Sequence, residues 1–184
     1  MRVISGKYGG RSIKGKMPAG VRPTTDKSRE SLFSTLDNYI YFEGKKVLDC
    51  YAGSGLVGIE FLSRGAEHCT FVEKNYQPIT VIKQFASDID LQKDSYSVIK
   101  SDVLAFLKKC ETTYNIIFSD APYHLQTANQ IVSIVEENKL LEHEGFLILE
   151  TEDKEEIVYS TNFTLVKQKS FGISKLTILE FANQ

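Results

Sequence analysis

Twelve residues, Val47 to Gly58, constrain the fold more than any other stretch: Val-Leu-Asp-Cys-Tyr-Ala-Gly-Ser-Gly-Leu-Val-Gly. The apolar run predicts a buried strand with Asp49 at its C-terminal edge. Gly53 and Gly55 lack a Cβ, so backbone there can turn sharply and pass close to a ligand. From Leu56 the spacing becomes helical, with Ile59 and Leu62 on one side. A strand, a glycine turn and a helix in that order predict an open α/β sheet, in which ligands bind beyond the carboxyl ends of the strands.

The spacing Gly53-x-Gly55-x-x-Gly58 also fits the dinucleotide fingerprint, or simply a tight turn with no ligand. Two acids favour a different ligand. Asp49 stands four residues before the first glycine, where a dinucleotide fold carries apolar strand. A second strand over His68 to Val72 runs into Glu73, placed to accept both ribose hydroxyls. Asp-x-x-x-Gly-x-Gly followed by such a Glu resembles the S-adenosyl-L-methionine (SAM) pocket of class I methyltransferases. SAM has no pyrophosphate, so this turn need not cradle phosphates, and SAM is favoured over NAD.

Alternating strand and helix patterns continue from there. Strands are expected at Val47–Cys50, His68–Glu73, Tyr96–Lys100, Tyr114–Ser119 and Phe146–Glu150, with helices between them. Thr164–Lys169 and Lys175–Phe181 flank Gly172 and predict an antiparallel pair. Upstream, Thr24, Thr25 or Asp26 caps a helix whose apolar face is Leu32, Phe33, Leu36 and Ile40. The expected fold is Rossmann-like α/β: a seven-stranded, mostly parallel sheet with an antiparallel C-terminal hairpin. The N-terminus adds a small β-hairpin with its tip at Lys7–Gly10, laid on the main domain because it is too small to bury a core alone. The expected division is 1–25 for this hairpin and an extended linker, and 26–184 for the catalytic domain.

Composition narrows the setting. At 184 residues and 42% apolar content, one ordinary domain is expected. No signal-peptide pattern and no apolar run near about 18 residues are present, so neither secretion nor a membrane span is expected. Cys50, Cys69 and Cys110 have no paired spacing and predict free thiols, and the three His show no metal spacing. A cytoplasmic protein without metal is the simplest account, and a monomer is expected. Net charge is −2, but residues 1–30 carry eight bases against two acids, so that segment is +6 and the remainder −8. Such an arm is either a solvated edge or a contact for a polyanion. Its clustering with Tyr8 and its charge, opposite to the body, favour phosphate contact.

A second constellation, Asp120-Ala121-Pro122-Tyr123, directly follows the fourth strand. Singly, Asp120 could cap a helix and Tyr123 could be a core aromatic. Together they suit methylation of an exocyclic amine on a base. That nitrogen is a poor nucleophile, because its lone pair is delocalised into the ring. A carboxylate and a backbone carbonyl accepting its two N–H groups favour a pyramidal nitrogen, and Tyr123 offers a stacking face for an extruded base. Positioning, rather than strong base catalysis, then carries the rate.

This motif is similar to the Asp-Pro-Pro-Tyr/Phe of amino methyltransferases acting on nucleic acid. The opening Met-Arg-Val-Ile-Ser-Gly-Lys, the run Arg-Pro-Thr-Thr-Asp-Lys-Ser-Arg-Glu at 22–30, and Leu48 to Gly58 resemble one bacterial family over essentially the whole chain. That family methylates the N2 of a guanine in 16S ribosomal RNA of the small subunit, the guanine(966)-N2 type. The resemblance implies that Asp49, Ala52, Gly53, Ser54 and Gly55 line the methionine and ribose side of SAM. Glu73 would hold the ribose hydroxyls and Asp102 the adenine amine, with Thr24 at the pocket border. Asp120 and the Ala121 carbonyl would hold the guanine amine, Pro122 would shape the loop, and Tyr123 would stack. Lys7, Arg11, Lys14, Arg22 and Arg29 would grip RNA. The family's second motif residue is proline; Ala121 keeps the carbonyl, and Pro122 still biases it toward extended backbone. Rival readings are a DNA amino-methyltransferase, disfavoured by the lack of room for a target-recognition domain, a noncatalytic RNA-binding protein on the same fold, and a small NAD-dependent enzyme.

Overall fold

The computed structural model describes residues 2–12 and 25–182. The linker over 17–23, Ile13 and the candidate site residues Lys14, Arg22 and Thr24 lie outside the described residues. Helix α1 (Asp26–Leu36) is capped by Thr25, whose side chain accepts the Ser28 N–H at 3.1 Å. There follow β1 (Lys46–Cys50), α2 (Leu56–Ser63), β2 (His68–Glu73), α3 (Tyr76–Asp88) and β3 (Tyr96–Lys100). The chain continues through α4 (Val103–Leu107), β4 (Tyr114–Asp120), α5 (Ala128–Glu137), β5 (Leu141–Glu152), β6 (Phe163–Phe171) and β7 (Ser174–Phe181). The strands form one seven-stranded sheet in the order β3-β2-β1-β4-β5-β7-β6. β1–β2, β2–β3 and β4–β5 pair in parallel, whereas β7 runs antiparallel to β5 and β6. The expected sheet is therefore observed, and its residues fall into two compact units, Met1–Lys100 and Ser101–Gln184. Among the described residues no helix is long and apolar enough to cross a membrane. Cys50, Cys69 and Cys110 are free thiols.

Strand β5 departs most from expectation, beginning at Leu141 rather than Phe146. Glu142 to Gly145 have no apolar alternation, and the ladder with β4 shifts register between Tyr114 and Ile116. Tyr114 pairs with Leu141, and regular pairing resumes at Ile116 with Phe146. Ile40, assigned by spacing to the α1 face, lies past the helix end yet is still buried.

Among the described residues the N-terminal hairpin shows an antiparallel bridge between Arg2 and Ser12, and Val3 donates to the Arg11 carbonyl and accepts from Gly10, each at 2.9 Å. The hairpin is docked on α2. Glu60 of α2 is fully buried, and its carboxylate accepts the Ile4 N–H at 2.7 Å and the Ser5 N–H at 3.0 Å. Ser63 accepts the Tyr8 N–H at its side chain (3.0 Å) and the Lys7 N–H at its carbonyl (2.7 Å). Gly6 fits because its φ is +80° and an added Cβ would fall 1.8 Å from the Ser63 carbonyl oxygen. Arg64 donates Nε to Glu60 at 2.9 Å and lies over the Phe33 ring at 4.7 Å. Phe33, Phe42 and Phe61 pack edge to face beneath it, with centroids 4.8–5.9 Å apart.

Removing this buried carboxylate leaves two backbone N–H groups and Arg64 Nε without their acceptor, although Arg64 keeps Asp37 through Nη1 at 2.8 Å. Glu60→Ala should therefore lose about 3–5 kcal/mol of unfolding free energy in urea denaturation. A loss below about 1 kcal/mol would show that these contacts do not hold the hairpin.

Candidate active site

In the first unit the turn after β1 is built on two carboxylates. Asp49 is 1% exposed, and its Oδ2 accepts the Gly58 N–H at 3.0 Å, tying the strand end to the first turn of α2. Glu73, 8% exposed at the end of β2, accepts the Gly53 N–H on Oε2 at 3.1 Å. Its Oε1 takes the Asn75 backbone N–H at 2.8 Å and the Asn75 side-chain amide at 3.1 Å. The Ala52 N–H reaches the Val72 carbonyl at 3.1 Å, and the Gly55 N–H closes back on Ala52 at 2.7 Å. Ala52, Gly53, Ser54 and Gly55 thus form one turn, tied by Glu73 at Gly53 and, through Gly58, by Asp49. Asp49, however, supports the turn from inside instead of lining it. Glu73 offers about four acceptor positions, and the described residues occupy three of them, which leaves capacity for a hydroxyl.

The three glycines serve different needs. Gly53 (φ +52°) has open space around it, and only its backbone conformation demands glycine. Gly55 (φ +74°) has a further steric reason, since a Cβ there would approach Ile82 Cγ1 to 2.7 Å. Gly58 lets α2 close on the sheet; a Cβ would sit 2.2 Å from the Phe71 ring and 2.8 Å from Asp49 Oδ2. Tyr51 also takes a left-handed conformation, with φ of 57°. Tyr76, at the start of α3, is 70% exposed, and Lys100 Nζ lies 5.8 Å from its ring centre.

In the second unit Asp120 is the last residue of β4, half-buried, and its register partner on β5 is Glu150. It does not cap α5, which begins eight residues later behind Thr127. Ala121 is 9% exposed. Pro122 (φ −54°, ψ 124°) leads into a 3₁₀ turn over Tyr123–Leu125, closed by the Leu125 N–H on the Pro122 carbonyl at 2.9 Å. The Tyr123 hydroxyl hydrogen-bonds the Ser174 side chain. Burial pushes the Glu150 carboxyl above its ordinary range, and a hydrogen bond from Ser174 pulls it partly back. Sequence reasoning missed both Glu150 and Ser174. Asp102 is exposed and caps α4, its Oδ1 accepting the Ala105 N–H at 3.1 Å. A polar cavity of about 320 Å³ in the same unit is lined by Gln126, Asn129, Glu152, Lys154, Glu155 and Glu156.

The candidate RNA-gripping cations separate. Lys7 is exposed, with Nζ 5.4 Å from the Tyr8 ring centre, while Tyr8 itself is buried. Arg11 is exposed along its stem but donates to the Ile89 carbonyl at 2.9 Å. Arg29 corrects the expectation. It is 0% exposed and donates to the Arg2 carbonyl and to Asp26 at 3.0 Å, so its guanidinium joins α1 to the hairpin and presents nothing to a polyanion.

The profile of the family described as "Conserved hypothetical protein 95" matches residues 1–180. The chain belongs to that family. Relatives of the family 95 chain include Ribosomal RNA small subunit methyltransferase D of Escherichia coli (strain K12), 32% identical over 94% of this chain and 85% of that one. The protein of the same name from Buchnera aphidicola subsp. Acyrthosiphon pisum is 35% identical over 91% and 86%. Among solved structures, the Thermus hypothetical protein TTHA0928 shares 25% identity and a TM-score of 0.78 over 97% of this chain and 98% of that one. SMU.776, a candidate methyltransferase solved with SAH, shares the fold at 15% identity and a TM-score of 0.71, over 83% of this chain and 49% of its own.

The glycine at position 58 gives a direct check on the Asp49 support. Gly58→Ala should cost about 1–3 kcal/mol of stability through overpacking against Phe71 and Asp49. A substitution neutral in thermal unfolding would contradict this packing.

Proposed function

We propose that this chain is a SAM-dependent methyltransferase of small-subunit ribosomal RNA, and that its acceptor is the exocyclic N2 of a guanine, position 966 by family type. The coarser reading, ribosomal RNA methylation, has the support of relatives named for it across nearly the whole chain. The observation that carries the finer reading is the Asp120-Ala121-Pro122-Tyr123 turn at the carboxyl end of β4. SAM as methyl donor is supported by the carboxylate-held turn at Gly53 to Gly55 and by a fold neighbour solved with SAH.

When bound, SAM supplies a methyl group already activated by its sulfonium. The chain's own residues need only hold and orient. The turn at Ala52 to Gly55 and the remaining acceptor capacity of Glu73 take the donor's ribose and methionine portions, and Asp102 its adenine amine. Asp120 accepts one N–H of the guanine amine and the Ala121 carbonyl the other. Both bonds draw the nitrogen's lone pair out of the ring and aim it. Tyr123 supplies the face on which the extruded base rests. Lys7 and Arg11 contact phosphates, with residues 1–25 acting as an RNA-gripping appendage to the 26–184 methyltransferase domain. The enzyme acts as a cytoplasmic monomer on the ribosomal small subunit or its RNA.

Incubation with labelled SAM and undermethylated 30S particles, followed by nucleoside analysis, should yield N2-methylguanosine and no labelled DNA product. Asp120→Ala should lower turnover by about 100-fold or more while SAM affinity stays within a few-fold. Methylated adenine or cytosine in DNA would favour the DNA reading. Retained SAM and RNA binding without any transfer would favour a noncatalytic protein, and undiminished turnover of the variant would remove Asp120 from its assigned role.

A further inference from the structure

Three side chains near the end of β4 form a chain that the transfer reaction as described does not use. Tyr123 hydrogen-bonds through its phenol to Ser174, the first residue of β7. Ser174 pairs with Glu152 on β5 and Leu176 with Glu150, so Ser174 and Glu150 are diagonal neighbours on one face of the sheet, where the serine hydroxyl can donate to the Glu150 carboxylate and favours its charged form. Glu150 sits on β5 in register with Asp120, so in parallel neighbours both side chains leave the sheet on the same face. Gly172, with φ of +63°, makes the tight β6–β7 turn that brings Ser174 to the start of its strand opposite Glu152.

Proton counting fixes the polarity of this chain. A serine hydroxyl has one proton and two lone pairs, and a carboxylate only accepts. The Ser174 proton therefore goes to Glu150, and the Ser174 oxygen receives the phenol proton of Tyr123. The ring is then held at both ends, by the backbone of its 3₁₀ turn and by its hydroxyl. It is half-buried. A stacking platform held in this way loses less side-chain freedom when a base settles on it.

We infer that Ser174 and Glu150 are positioning residues for the transfer reaction, acting through the Tyr123 hydroxyl to hold the ring at the angle an extruded base needs. This rests on the proposed role of Tyr123 as the stacking face. The chain links β5 and β7, which the sheet holds rigidly, to a motif loop that contains a single alanine where the related motif has proline. Fixing the ring from across the sheet makes its placement depend less on the stiffness of that loop.

The test uses the full-length protein and unmodified 30S particles. Tyr123→Phe, Ser174→Ala and Glu150→Ala should each lower kcat/KM for the particle about tenfold, with KM for SAM changed less than twofold. Because the three act as one unit, Tyr123→Phe/Ser174→Ala should be within about twofold of either single variant. Glu150→Gln keeps an oxygen to accept from Ser174 and should recover most of the loss seen in Glu150→Ala. Losses that multiply in the double variant, or a Ser174→Ala enzyme of normal efficiency, would overturn the inference. A readout independent of turnover comes from fluorine NMR of 3-fluorotyrosine-labelled protein, with the Tyr123 line assigned through Tyr123→Phe. That line should shift in Ser174→Ala and Glu150→Ala, and far less in Glu150→Gln. Should the wild-type protein transfer no methyl to RNA, the functional reading fails, and an unmoved Tyr123 line would then sink the positioning chain on its own.

Discussion

The turn between β1 and α2 stands on two inward carboxylates, Asp49 on the Gly58 N–H and Glu73 on the Gly53 N–H. Without them it would be a costly conformation. Three of its residues, Tyr51, Gly53 and Gly55, sit at positive φ. For a tyrosine that conformation alone costs on the order of 1–2 kcal/mol. The surrounding structure must over-determine such a turn for it to persist. Asp49 does so from the strand that precedes the turn and Glu73 from the neighbouring strand. Each carboxylate thereby satisfies a backbone donor, one at the turn and one in the first turn of the buried helix.

The same helix, α2, organises the N-terminus from its other half. Its residues are buried all round, Glu60 included, so a charge there has to be matched within the protein. The Ile4 and Ser5 amides and Arg64 supply the match. One eight-residue helix thus carries the candidate donor turn at its start and the basic hairpin along its second half. Arg29 adds a second tie, from α1 to the Arg2 carbonyl. The hairpin is consequently part of the first unit's packing, and its exposed cations are displayed from a fixed base.

What could be read in the sequence was whatever depends on short-range pattern. β2 and β3 were predicted with their observed limits, because apolar runs closed by charged or turn residues leave little choice of boundary. The glycine turn and the Asp120 motif were likewise visible, since each is a contiguous stretch with its own stereochemistry. The beginning of β5 was not, because Glu-His-Glu-Gly reads as a turn, and the strand extends back past it only because Leu141 pairs with Tyr114 before the register shift. Charge counting placed Arg29 on the RNA-facing surface, since composition does not distinguish a solvated guanidinium from one buried against Asp26. Glu60 carried a usable signal: a lone acid in Leu-Val-Gly-Ile-Glu-Phe-Leu-Ser, apolar on all sides, has to find an internal partner. Glu150 and Ser174 carried none, as their link to Tyr123 spans strands far apart in sequence.

The account depends most on Glu73 doing two things together, holding the Gly53 amide and keeping room for a donor hydroxyl. Calorimetric titration of SAM into wild-type protein and into Glu73→Ala addresses this most directly. The account predicts binding to the wild type and an affinity at least about tenfold weaker in the variant, from the loss of charge-assisted hydrogen bonds, with cooperative unfolding preserved. Equal SAM affinity in the two proteins, or a wild type that binds NAD and not SAM, would contradict it.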